Sequence, residues 1–210
     1  MIYPPLFVLA FAFSAFAGTS TYKLDFGTAN SPVAEGFQAG EAVSLQETSD
    51  PVFQVADEKG ANSLQIAFQG AIGGFSLGDE SKPLTTDGIY TFKKPAVEGM
   101  DASAPDEAIN IPFAISGLPA GSLVTLYGVN AWNAEGRAAF VSLGDSGMVD
   151  LAASTEPKPG STAFDSFTLI AAKQKVGTDG KLAGVFSNSD GSAPRAEGQW
   201  GGLILIVETP

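Results

Sequence analysis

The chain has 210 residues, with 11 Lys and Arg against 23 Asp and Glu for a formal net charge of -12, a sign that argues against nucleic acid or anionic headgroups as partners. It contains no cysteine, which removes disulfides, thiolate nucleophiles and zinc-thiolate centres. It contains no histidine either, which removes Ser-His-Asp and Cys-His catalysis and imidazole-held metals, so any catalysis would rest on carboxylates, Lys or Tyr.

The length suits one domain with a real core. The 25 glycines and 13 prolines are spread along the chain, where they punctuate many short elements, as in an all-β protein.

Residues 1–17, MIYPPLFVLAFAFSAFA, carry no charged side chain and are mostly apolar from Leu6. Small Ala15 and Ala17 straddle Phe16 in the A-x-A pattern of a secretory signal peptide, with cleavage before Gly18. An uncleaved signal anchor or a buried first strand is the alternative reading, although the run is shorter than the ~20 residues of a spanning helix. The expectation is a single β-sandwich domain over residues 18–210. It is soluble and secreted (extracellular, periplasmic or cell-surface), with no membrane association after cleavage.

From Thr19 the alternation of Tyr22, Leu24 and Phe26 with Lys23 and Asp25 has the period of a half-buried strand. Asp25 reads as a solvated or turn-bonding carboxylate, or else as an oxygen ligand for a structural calcium ion. Short strands are predicted over 52–55, 63–68, 72–77 and 88–92, each bounded by turn residues. The polar stretch 93–108 reads as a surface loop. In the middle, 111–115 and 123–129 are apolar strands around Leu118-Pro119-Ala120-Gly121, which suits a type I turn. Strands follow over 137–143 and 148–151, then a hairpin of 167–176 and 181–186 around Gly177-Thr178-Asp179-Gly180. The unbroken apolar run 203–207 suits a strand central to a sheet.

Three stretches are distinctive together: YKLDFGTANSPVAEGF from Tyr22, ISGLPAGSLVTLYG from Ile115 and GQWGGLILIV from Gly198. They resemble the galactose-binding-like jelly rolls, the β-sandwich modules grouped with malectin and several carbohydrate-binding modules and common in secreted bacterial proteins. The resemblance implies two antiparallel sheets in an all-β jelly-roll sandwich, often a structural calcium, and non-catalytic sugar binding through loops. With no linked catalytic domain in this chain, the module would act alone.

One loop concentrates the side chains that sugar recognition needs. Trp132 offers an aromatic face to a ring, while Asn130, Asn133, Glu135 and Arg137 offer groups for its hydroxyls. The competing reading folds Trp132 over the sandwich end and uses the polar groups to cap turns. Trp200, beside the terminal apolar run, reads as core; Tyr90 and Tyr127 read as partly buried strand residues.

Other motifs have simpler readings. Gly144-Asp145-Ser146 has the look of an esterase nucleophile block, but no histidine exists to take the serine proton, so it reads as a turn. Asn188-Ser189-Asp190-Gly191 lacks the downstream acid of a calcium loop at the required spacing. Gly70-Ala71-Ile72-Gly73-Gly74 has no following Lys-Ser/Thr for a phosphate. Asp106 and Glu107, or other acids, could pair as in a glycosidase only through proximity that sequence does not reveal. The expected function is a non-catalytic module binding a glycan or surface polysaccharide. A structural extracellular or envelope protein is the alternative, and a carboxylate-dependent glycan hydrolase a third.

Overall fold

The computed structural model describes residues 18–42, 48–91, 108–131, 136–158 and 163–210. The signal-like stretch 1–17, the loop residues Trp132, Asn133 and Glu135, and Asp106 and Glu107 lie outside the described residues.

The first seven strands are β1 (Thr19–Thr28), β2 (Gln38–Ala42), β3 (Thr48–Ser49), β4 (Val52–Ala56), β5 (Ser63–Phe68), β6 (Ala71–Ser76) and β7 (Asp87–Thr91), with a single-turn helix α1 (Pro83–Thr86) before β7. There follow β8 (Asn110–Ser116), β9 (Leu123–Val129), β10 (Phe140–Leu143), β11 (Val149–Asp150), β12 (Thr168–Lys175), β13 (Lys181–Ser187), β14 (Gln199–Trp200) and β15 (Gly202–Glu208). The all-β expectation holds.

These strands form a five-stranded sheet in the order β12-β9-β15-β1-β2 and a six-stranded sheet in the order β11-β10-β13-β8-β5-β4. A smaller sheet, β14-β7-β6-β3, adds a third layer element to the two that the sequence predicts. Glycines let it press on the first sheet: a Cβ at Gly74 would stand 3.0 Å from the Ala42 Cβ and 3.2 Å from the Gly27 carbonyl oxygen. Among the described residues, the ladders between these strands are antiparallel except that of β1 and β2, with one isolated parallel bridge between Ala138 and Gln199.

β15 lies third of five, between β9 and β1, and Leu203 to Leu205 are buried on both faces, as the unbroken apolar run predicts. At the centre of the sandwich Trp200 is fully buried among the rings of Phe26, Phe68, Phe113 and Phe186. Its indole N–H donates to the Gly202 carbonyl at 2.9 Å, which satisfies the one polar atom that burial would otherwise strand.

Two turn predictions are corrected. The 177–180 connection does not join a hairpin, because β12 pairs with β9 in the first sheet whereas β13 pairs with β8 and β10 in the second. Gly180, at φ +68°, supplies the reversal, but the chain uses it to change sheets. The other reversal runs one residue later than predicted, closed by Ser122 N–H donating to the Pro119 carbonyl at 3.1 Å. Gly121 then occupies the third position at φ +79°, where a type II turn needs glycine. The two crossings clasp each other: Leu118 N–H donates to Gly180 O at 3.1 Å, and Val176 N–H to Ser122 O at 2.9 Å.

Candidate functional site

The loop singled out by the sequence leaves the end of β9. Asn130 is 3% exposed and its backbone N–H donates to the Ser154 hydroxyl at 2.7 Å, so it anchors the base of the loop inside the protein. Ala131 is wedged where Gly88 and Gly201 leave no room for a Cβ of their own. On the far side of the loop, Arg137 Nη1 lies 3.5 Å from Glu197 Oε2, which also accepts from Gln199 Nε2 at 2.9 Å. Backbone bonds fix this cluster: Gln199 N–H donates to Arg137 O at 2.8 Å, and Gln199 pairs with Tyr90 between β14 and β7. Burial, followed by the neighbouring Glu197 carboxylate, raises the Tyr90 phenol above its ordinary pKa. Asn130 and Arg137 thus bracket the loop that carries Trp132, with a guanidinium, an amide, a carboxylate and a phenol gathered at Arg137.

A second feature was only partly legible in the sequence. In the five-stranded sheet the register places Lys23, Ile204, Tyr127 and Leu169 in one row across β1, β15, β9 and β12. Alternation turns this row away from the core, since Val124 and Leu126 fill the inward positions of β9. Phe164 meets Tyr127 edge to face at 5.3 Å, and Phe37 stacks on Phe167 at 6.0 Å with the Lys23 ammonium 5.9 Å from its ring centre. Phe164 is 40% and Leu169 45% exposed, and Phe37 and Tyr127 are partly so. Charged pairs stand nearby, Lys23 with Glu58 at 2.6 Å and Lys173 with Glu208 at 3.4 Å. The strand period locates Tyr127 on this face; Phe37 and Phe164 arrive from loops, and no sequence period places them.

The third feature begins with Asp25. Its register partner on β15 is Gly202, and it is covered by α1 and by the turn that precedes β2. Ala34 N–H, in that turn, donates to Asp25 Oδ2 at 2.7 Å. Asp87, the residue that ends α1 and starts β7, is completely buried close by. Asp25 Oδ1 and both oxygens of Asp87 make no regular hydrogen bond, although the Ser31 hydroxyl approaches Asp87. Burial is the main cause that raises Asp25 to about 7, and burial followed by the Asp25 charge raises Asp87 to about 8. Glu156 is also raised, chiefly by burial, while Thr85 Oγ1 donates to it at 2.8 Å.

A structural calcium at Asp25 can be tested against these atoms. Calcium takes about 6–8 oxygen ligands. Here one Asp25 oxygen is engaged by an amide, and the cavity beside Asp25, to which Thr28, Ser31 and Glu41 bring the other oxygen-bearing side chains, measures ≈ 10 Å³, at most one water and too small for a hydrated or many-coordinate cation. Among the described residues no three acidic side chains converge as metal ligands. The donor set around Asp25 does not fit calcium.

The remaining motifs are turns. Ser146 Oγ accepts from Leu143 N–H at 2.9 Å, which closes the Gly144-Asp145-Ser146 reversal. Ser189 donates to Ser192 O at 2.8 Å and Asp190 accepts from Ser192 N–H at 3.0 Å, so the 188–192 segment is held by its own side chains. No protein-family model matches the chain, and no curated protein or solved structure is measurably similar to it.

Proposed function

We propose that this protein is a non-catalytic module that binds a neutral polysaccharide outside the cytoplasm, in the manner of the galactose-binding-like sandwiches that its sequence resembles. The observation that carries the reading is the aromatic patch of Phe37, Tyr127 and Phe164 on the outer face of the five-stranded sheet. Partly exposed rings on a rigid sheet offer flat apolar surfaces to the C–H faces of sugars, while the adjoining Lys, Glu and Thr side chains suit their hydroxyls. A second contact comes from the 130–137 loop, where Trp132 stacks on a ring and Asn133 and Arg137 donate hydrogen bonds. The net charge of -12 disfavours uronate and sulfated polymers, which selects neutral glycans.

The test is affinity electrophoresis and calorimetry of the purified protein against neutral and acidic polysaccharides, with Tyr127→Ala, Phe164→Ala and Trp132→Ala variants. Binding of a neutral polymer, weakened on the order of tenfold in a folded aromatic variant, supports the reading; tenfold corresponds to about 1.4 kcal/mol. Absence of binding to the whole panel overturns it. The structural-protein alternative would then lead, since β12 is an edge strand with exposed Leu169 beside Phe164 and offers a surface for self-association.

A further inference from the structure

A crevice opens between the end of β1, the turn that follows it and β2. Asp25, Thr28, Ser31, Val33 and Glu41 line it, and its volume of ≈ 10 Å³ suits a single group the size of one water. Asp25 is 3% exposed; its Oδ2 accepts from Ala34 N–H at 2.7 Å, while its Oδ1 has no hydrogen-bond partner. A donated N–H favours the ionised carboxyl, so the crevice holds a buried anion with one oxygen still unsatisfied. Gly27 lines the same crevice, and a Cβ there would stand 3.4 Å from Asp87 Oδ2, so a second buried carboxyl borders it.

The other polar side chains of the lining bring acceptors as well. Thr28 Oγ1 and Ser31 Oγ lie 3.2 Å apart, and the bond between them uses one proton and leaves lone pairs over. Glu41 is exposed at the rim. None of the lining side chains is cationic, and among the described residues no ion pair involves Asp25 or Glu41. Lys23, two residues before Asp25 on β1, is paired with Glu58 at 2.6 Å. Pro32, Val33 and Ala39 complete the rim with apolar surface.

We infer that this crevice binds a primary ammonium group carried on a slender alkyl chain, as in a free alkylamine or a lysine side chain. Such a group is close to a water in size, which the volume admits and a hydrated calcium ion exceeds. It carries N–H donors and no acceptor, the complement of Asp25 Oδ1, the Thr28 hydroxyl and the Glu41 carboxylate. Its charge offsets the desolvation that a lone buried carboxylate suffers. The alkyl chain leaves past Pro32 and Val33. Val33 is 45% exposed on its turn, and a small outward shift of that rim brings the ammonium onto Oδ1.

The test is a proton–nitrogen NMR titration of the full chain at pH ~8, above the value of about 7 to which burial raises Asp25 and well below that of an alkylammonium. The probes are n-butylamine and Nα-acetyl-lysine amide. The controls are n-butyltrimethylammonium, which has the same charge but no N–H, and calcium chloride. Both amines should shift the Thr28, Ala34 and Gly40 amides saturably, and the quaternary ion should not. Asp25→Asn should weaken binding on the order of tenfold, as loss of a charge-assisted hydrogen bond does. Glu41→Gln should weaken it about threefold, the effect of an exposed charge. Glu41 is exposed, so its variant keeps the fold and decides the matter if Asp25→Asn does not fold. A response to one amine alone supports the site and identifies the source of the ammonium. No saturable shift with either amine, an equal response to the quaternary ion, or an affinity unchanged in the folded variants overturns the inference. So does calcium saturating the same amides and excluding the amine, which would make the crevice a metal site.

Discussion

Trp200 and Phe26 meet edge to face across the middle of the sandwich, their ring centres 5.2 Å apart and their planes at 60°. Both are fully buried, and Trp200 joins the ring of Phe26 on β1 to those of Phe113 on β8 and Phe186 on β13, so one side chain ties the two large sheets together. Trp200→Ala leaves a cavity that rigid neighbours on both sheets cannot fill. The expected loss is about 3–5 kcal/mol of unfolding free energy in urea titration. Trp200→Phe should cost clearly less, and equal costs would show that the indole is not the link.

Gly73 and Tyr90 form a second obligatory pair, since a Cβ at Gly73 would enter the Tyr90 ring. β6 and β7 bring them opposite each other, and the flat phenol occupies the space where a side chain would stand. Gly73→Ala should therefore destabilise by about 1–3 kcal/mol, as overpacking does. A double-mutant cycle with Tyr90→Ala checks the cause: the cost of Gly73→Ala should largely vanish once the ring is gone.

The sequence carried the strands whose inward and outward residues differ sharply. Ser63–Phe68 alternates in hydrophobicity as it does in burial, and Leu123–Val129 is rich in the branched and aromatic residues that suit a half-buried strand, so their bounds were legible. Gln38–Ala42 was not, because Gly40 and Ala42 occupy its buried positions and small residues leave no apolar period to read. The Asp179-Gly180 pair announced a reversal, yet a turn motif states only that the chain turns. Which strand β12 joins was decided by burial of Ile170 and Ala171 against the core and by its bulged pairing with β9. At the site, Arg137 and Tyr127 could be nominated from chemistry and period. Asp87 could not, because its partner Asp25 is 62 positions away in sequence and only the closure of α1 over β1 brings them together.

The buried acids give stability an unusual slope with pH. Asp25 and Asp87 have folded-state values near 7 and 8 against 3.8 when unfolded, so between these limits the folded protein holds protons that the unfolded chain has released. Their contribution is fully present below 3.8 and is lost as pH rises through 7 to 8. The melting temperature should fall between pH ~5 and ~9, and Asp87→Asn should flatten that fall. A melting temperature that is level or rising over this range would contradict the burial of ionisable carboxyls here.

Arg195 sets the opposite slope at acid pH. Its Nη1 and Nη2 donate to the two carboxylate oxygens of Asp150 at 2.8 and 2.6 Å, Nη1 also donates to the Ala138 carbonyl at 2.8 Å, and the guanidinium carbon lies 4.2 Å from the centre of the Phe140 ring. This fork fastens the 188–198 loop to β10 and β11. The hydrogen bonds from Arg195 are the main cause that lowers the Asp150 pKa. A lowered carboxylate contributes stability above its unfolded value of 3.8, and that contribution disappears as pH falls through the folded value. Arg195→Lys keeps the charge but loses the bidentate geometry and most of the stacking, so it should cost about 1–2 kcal/mol at neutral pH. The cost should shrink as pH falls through the lowered Asp150 value, where the parent also loses the ionised partner. A Lys variant as stable as the parent at neutral pH would mean that charge alone holds the loop, and a cost unchanged in acid would assign it to the Ala138 and Phe140 contacts.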